Sequence, residues 1–369
     1  MTQVREWKAA GIGAGIVAIY MALVLGSGRI DLVMFGKLLA FYIRTSFSLW
    51  VFVLGFTLLG LMAMGSRKTG SKPFLREFVL RTARERWQRD RFVSLIWPPM
   101  LFATLLASFN SYKQMILPLA GYGWDPIVAA ADKALFLGHD PWRITHAIFS
   151  SPEATVIIDR AYHGWFVPMS IGVVACAFLP QSTFRLRTQY LLTYISVWIV
   201  IGSIFAFLMP SAGPCFYEAL VGPSATFHDL LQSLHQAQAI TGSELTSLNN
   251  QQMLLELRNS DKLIIGGGIS AMPSVHNGLA IVFALAAFRL NRRAGYVVGA
   301  YAAMIWIGSI HLGWHYAVDG IASGLMIAGI WYAAGRYLDR VGYTQALRLR
   351  GEEAPEPDLP DFEPEPVAI

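Results

Sequence analysis

Long apolar runs alternate with short polar, often basic, segments along most of the chain. A helix needs about 20 mostly apolar residues to cross a bilayer, and eight stretches meet that demand: 9–26, 46–65, 93–109, 161–180, 190–209, 272–290, 295–313 and 316–335. The pattern predicts an all-α polytopic membrane protein with about eight transmembrane helices. The first run follows Arg5 and Lys8, but no small-residue cleavage site leads from it into a polar mature domain, so it reads as a retained helix. Ile30 to Arg44 reads as an interfacial helix rather than a crossing. In the long polar segments 110–160 and 210–271, local helical spacing recurs, as at Phe227, Leu230, Leu231 and Leu234. These segments are expected to lie on the membrane surface.

Lys and Arg collect in cytoplasmic loops, and here they cluster at Arg5 and Lys8, in the 66–92 loop, at Arg185 and Arg187, at Arg289, Arg292 and Arg293, and from Arg336 to Arg350. An eight-crossing chain places all of these on one side. Both termini are then cytoplasmic, the loops 27–45, 110–160, 210–271 and 313–315 are outside, and the reading is an integral protein of a bacterial inner membrane. From Gly351 onward, acidic residues among prolines cannot bury a core, which predicts a disordered tail over 341–369.

Composition strengthens this picture. Hydrophobic residues make up 54% of the 369 and charged residues only 14%, against roughly 25% charged in soluble domains, and the mean hydropathy is +0.45. The formal charge of +5 sits between apolar runs, which excludes a nucleic-acid partner as its explanation. Cys176 and Cys215 cannot build a disulfide framework.

Two constellations carry chemistry. In Gly266-Gly267-Gly268-Ile269-Ser270-Ala271-Met272-Pro273-Ser274-Val275-His276, a glycine run ends in a proline suited to a first helical turn. Free N–H groups at such a helix start favour an anion such as phosphate, within reach of the Ser274 hydroxyl and the His276 imidazole; the plainer alternative is a polar helix cap. In His311-Leu312-Gly313-Trp314-His315-Tyr316-Ala317-Val318-Asp319, the spacing of four sets His315 and Asp319 on one helical face. A carboxylate on one ring nitrogen fixes the tautomer and leaves the other nitrogen to attack. One helix in, a basic turn and one helix back bring His315 to the outer face where His276 begins. His311, His315 and Asp319 could instead ligate a metal, and a non-catalytic transporter is a further alternative.

The residues Pro273-Ser274-Val275-His276 and His315-Tyr316-Ala317-Val318-Asp319 resemble the second and third motifs of the type 2 phosphatidic acid phosphatase (PAP2) superfamily. The resemblance implies a PAP2-like helical core over 93–340, preceded by membrane helices and a basic loop in 1–92. It also implies His315 as the nucleophile that becomes phosphohistidine, Asp319 as its orienting partner and His276 as the acid for the leaving group. Two departures stand out. The third motif opens with Gly308-Ser309 in place of Ser-Arg, so its phosphate-binding arginine is missing, and Lys-x6-Arg-Pro of the first motif occurs nowhere. The departures, together with Ser211-Ala212-Gly213-Pro214, are similar to the branch of inositol phosphorylceramide synthases and related inositolphosphotransferases. This implies transfer of a phosphoryl or phospho-head group from a phospholipid donor to a lipid-hydroxyl or polyol acceptor, with a lipid phosphate phosphatase as the alternative. No cofactor or metal is expected. Arg160 is expected to replace the missing arginine, Lys113 to be the secondary cation and Ser274 to contact the phosphate.

Overall fold

In the computed structural model, which describes residues 2–69, 92–179, 183–258 and 263–341, every regular element is helical. The 66–92 loop falls almost wholly outside the described residues, and so does the tail after residue 341. In chain order the main helices are α1 (Thr2–Gly26), α2 (Leu32–Thr69), α3 (Phe92–Met115), α4 (Asp125–Leu135), α5 (Pro141–Ile148), α6 (Pro152–His163), α7 (Phe166–Cys176), α8 (Phe184–Leu208), α9 (Ala225–Thr241), α10 (Thr246–Leu257), α11 (Val275–Leu290), α12 (Arg292–His311) and α13 (Ala317–Arg340). Helices α1 and α2 both pack on α3, α11 and α12 form a hairpin, and α13 packs on α8 and α11.

Among the described residues, α1, α2, α8, α12 and α13 are long and apolar enough to cross a membrane. Helix α11 is apolar but has 16 residues. Two expectations change. The stretch 30–44 is no separate interfacial helix: the Asp31 carboxylate accepts from Met34 N at 2.7 Å, and the helix then runs unbroken from Leu32 through the stretch expected at 46–65. Its buried face, Phe35, Leu38, Tyr42, Ser46 and Val53, keeps helical spacing across Arg44 and Thr45, and neither glycine nor proline interrupts it there. The expected run 161–180 is divided, because α6 ends at His163 and α7 starts at Phe166.

The outer segments are helical as well. Helices α4, α5 and α6 from 110–160, and α9 and α10 from 210–271, pack against the site end of the bundle; α6 lies between α9 and α12, and α4 touches α13. Their apolar faces join the core, with Val128, Trp142, Phe227 and Leu230 packed on Ile310 and Tyr316, and buried carboxylates add polar ties. The buried carboxylate of Asp159 accepts from Thr246 N at 2.8 Å and Ser247 N at 2.9 Å, capping α10, and that of Asp132 accepts from Ala317 N and Val318 N, both at 2.8 Å, capping α13. Burial pushes the Asp132 carboxyl up to about 7, against the two N–H donors that favour its charged form.

Candidate active site

His315 stands in the turn before α13, so its spacing of four from Asp319 works through a helix cap and not through a helical face. Asp319 reaches back from the first turn of α13 to accept from Tyr316 N at 2.9 Å, and the same oxygen lies 3.4 Å from His315 Nδ1. The Ala271 carbonyl accepts from His315 Nδ1 at 2.9 Å. With Nδ1 carrying the proton between these two oxygens, Nε2 on the opposite edge is a free lone pair. Asp319 is fully buried and His315 is 4% exposed.

His276 is the second residue of α11, whose start is set by Ser274. The Ser274 side chain accepts from Asn277 N at 3.3 Å and from Asn277 Nδ2 at 3.0 Å, and it is fully buried. It serves the helix cap, and it does not line the cavity described below. The His276 ring lies 5.6 Å from that of His315, centroid to centroid, and is packed by Trp165 at 4.3 Å and Tyr162 at 5.5 Å.

Both histidines line a two-lobed cavity. One lobe, about 250 Å³, is largely apolar and runs past Phe102, Phe109 and Trp198 to Phe41 and Tyr42 of α2. The other, about 180 Å³, is bounded by Tyr162, His163, Asn250 and Trp314. Lys113, Trp165, Ser270, His276 and His315 border both lobes, so both histidines and the lysine stand where the two meet.

The glycine run serves close packing. Asn110 and Gln114 of α3 hold its approach: Asn110 Nδ2 and Gln114 Nε2 each donate to Ile264 O at 2.7 Å, and Asn110 Oδ1 accepts from Gly266 N at 2.8 Å. Gly268 has φ +88°, and a Cβ there would meet the Lys113 carbonyl oxygen at 2.6 Å. The loop thus lies directly on the turn of α3 that carries Lys113.

The two expected cations lie differently with respect to the cavity. Arg160 is exposed on α6 and lines neither lobe, whereas Lys113 borders both. One turn beyond Arg160, His163 does reach the smaller lobe. The neighbour of Arg160, Asp159, pairs with His163 and not with the arginine. His311 stands apart as well: it is buried, its Nε2 is 2.9 Å from Thr155 Oγ1, and its ring stacks on His146 at 3.9 Å. Among the described residues no group of three His, Cys, Asp or Glu side chains could hold a metal ion.

Sequence reasoning missed Asp125. Its fully buried carboxylate accepts from Ser211 Oγ at 3.0 Å, Ala212 N at 2.7 Å, Gly213 N at 2.9 Å and Tyr316 Oη at 2.9 Å. It thereby ties the Ser211–Pro214 turn to the residue after His315. That turn in turn accepts from Ala271 N through Ser211 O at 2.8 Å, and Cys215 N donates to Gly313 O at 2.8 Å. Gly213, at φ +99°, could not carry a Cβ, which would lie 2.7 Å from the Trp314 carbonyl oxygen. The available signal was Asp125 and Asp132 seven residues apart, two turns along one face of α4.

Residues 126–334 match the PAP2 superfamily. Neither a curated protein nor a solved structure matches the chain.

Proposed function

We propose that this chain, which belongs to the PAP2 superfamily, transfers a phosphoryl or phospho-head group, on the inositolphosphotransferase pattern, from a phospholipid donor to a lipid-hydroxyl or polyol acceptor through a phosphohistidine on His315. Members of the superfamily are in general phosphatases or phosphotransferases, and the apolar helices mark an integral membrane protein. The observation that carries the reading is the meeting of His315, His276 and Lys113 where the two lobes of the cavity join.

In the first step His315 Nε2 attacks phosphorus, the bond from phosphorus to the leaving oxygen breaks, and His276 gives that oxygen its proton. Positive charge on the phosphorylated ring is supported through Nδ1–H by the Ala271 carbonyl and Asp319. In the second step the acceptor hydroxyl attacks phosphorus, the N–P bond breaks and His276 takes the hydroxyl proton. Lys113 neutralises the phosphate oxygens, a task of positioning and charge that needs no redox partner. The larger lobe suits a lipid chain, and the smaller one, bordered by His163 and by Asn250 of α10, suits the acceptor.

A water-for-acceptor reaction uses the same groups, so the deciding measurement supplies purified protein with a labelled phospholipid donor, with and without a lipid-hydroxyl acceptor. Labelled acceptor product is expected. Equal release of free phosphate from simple lipid phosphates in both reactions, with no labelled acceptor, would make the enzyme a phosphatase.

Eight crossings follow if α3, α11 and the α6–α7 segment across Gly164 complete the five longer helices. The basic clusters then place both termini in the cytoplasm and the cavity at the extracytoplasmic face. In a background lacking Cys176 and Cys215, an impermeant thiol reagent on intact bacterial cells is expected to label Gly222→Cys but not Arg293→Cys. The reverse pattern would invert the topology.

A further inference from the structure

The site shows one protein cation, Lys113, where the superfamily motif adds an arginine that Gly308-Ser309 does not supply. A second group of the right kind stands in the wall of the smaller lobe. His163, the last residue of α6, sets Nδ1 at 2.8 Å from the Asp159 carbonyl oxygen and 3.4 Å from its carboxylate. Asp159 is itself fixed by the two N–H groups at the start of α10, so it cannot turn away. The ring therefore keeps its orientation, and Nε2 lies 3.3 Å from Asn250 Nδ2 in the wall of the lobe. An amide presents either its oxygen or its nitrogen to a neighbour, so Asn250 holds a protonated ring through its oxygen until a phosphate oxygen takes that place. The Asp159–His163 arrangement mirrors the Asp319–His315 pair on the other side of the same lobe.

We propose that His163, held by Asp159, is the second cation of the phosphate subsite and binds a phosphate oxygen through Nε2–H opposite Lys113. This rests on the phosphoryl-transfer reading above and adds to it a residue outside both sequence motifs. Burial disfavours charge on His163, whereas the contacts of Nδ1 with the Asp159 carbonyl and carboxylate favour it. Other groups around the ring are Tyr162 on its own helix, Lys113 from α3, His276 from α11, His315 before α13 and Tyr301 of α12, whose hydroxyl donates to the Ala161 carbonyl. None of these is a carboxylate, so Asp159 alone supplies the compensating negative charge on this wall.

The test uses inorganic phosphate as the probe and thermal stabilisation of the detergent-purified full chain as the readout, because a ligand that binds the folded state raises its melting temperature whether or not turnover occurs. The His163→Gln variant is expected to weaken phosphate binding roughly tenfold or more, the usual scale of a lost charge-assisted hydrogen bond, and His163→Arg to restore most of it. The imidazolium exists below its folded pKa, so the ratio of wild-type to His163→Arg affinity should fall as pH rises above neutral; the ratio cancels the titration of phosphate itself. Unchanged affinity in His163→Gln, a pH-independent ratio, or no stabilisation of the wild-type chain by phosphate would each overturn the proposal. Lipid turnover with unchanged phosphate affinity in His163→Gln would sink this role while leaving the enzyme intact. Phosphate binding that depends on His163, without turnover of any phospholipid, would keep the cation site and sink the enzyme assignment.

Discussion

Replacing His315 by alanine should abolish turnover, with a loss of roughly 10³-fold or more in kcat, while the protein still inserts and purifies. The size of the effect follows from the placement of the ring. Its Nδ1 is committed to the Ala271 carbonyl and Asp319, which leaves Nε2 uncommitted on a ring that borders both lobes. His276→Ala should cost about 10²- to 10⁴-fold, the range of a lost general acid. Asp319→Asn should fall in a similar range, because an amide can no longer act as a pure acceptor for Nδ1–H and the ring tautomer is released. Near wild-type activity in His315→Ala on every phospholipid tried would remove the nucleophile assignment. Steady-state kcat and KM separate these roles from a folding defect, since each variant should retain its melting temperature within a few degrees.

The second large effect is structural. Asp125→Ala should destabilise the protein by about 3–5 kcal/mol, the cost of leaving buried partners of a carboxylate without an acceptor. Ala212 N–H, Gly213 N–H, the Ser211 hydroxyl and the Tyr316 hydroxyl all lose their acceptor together. Asp125→Asn keeps one acceptor oxygen and should recover part of the loss. Thermal unfolding in detergent reads both variants, and a change within 1 kcal/mol for Asp125→Ala would mean that the Ser211–Pro214 turn holds its shape without the carboxylate. Activity should fall with stability here, because the same contacts locate the Tyr316 backbone beside His315.

The helical architecture and the pairing of Pro273–His276 with His315–Asp319 were legible in the sequence for a physical reason. Apolar run length reports burial in lipid directly, and a short motif at the start of a helix constrains its own backbone. Lys113 was legible as a cation at a helix end, but its rank against Arg160 was not. Which face of α6 meets the cavity depends on α10 and α12 packing around it, and that turned Arg160 outward and His163 inward. The role of Ser274 was open between anion contact and cap, and its side chain makes the capping contacts with Asn277. Asp125 and Asp132 stayed hidden because their partners are backbone N–H groups some 87 to 186 positions away in the chain. A buried acceptor of this kind leaves no local pattern beyond its own helical spacing. The stretch Ile30 to Arg44 was expected to be a separate interfacial helix, yet it continues into the next run, because long basic side chains such as Lys37 and Arg44 can leave a buried helix face intact.

Phe41, Tyr42 and Thr45 border the apolar lobe, yet they precede the stretch 126–334 that matches the superfamily. The wall of that lobe is thus drawn from two tracts, with Phe41, Tyr42, Phe102 and Phe109 before the matched stretch and Trp165, Met169 and Trp198 within it. If the lobe holds a lipid chain, substitutions at Phe41 or Tyr42 would alter chain-length preference while His276 and His315 stay as they are.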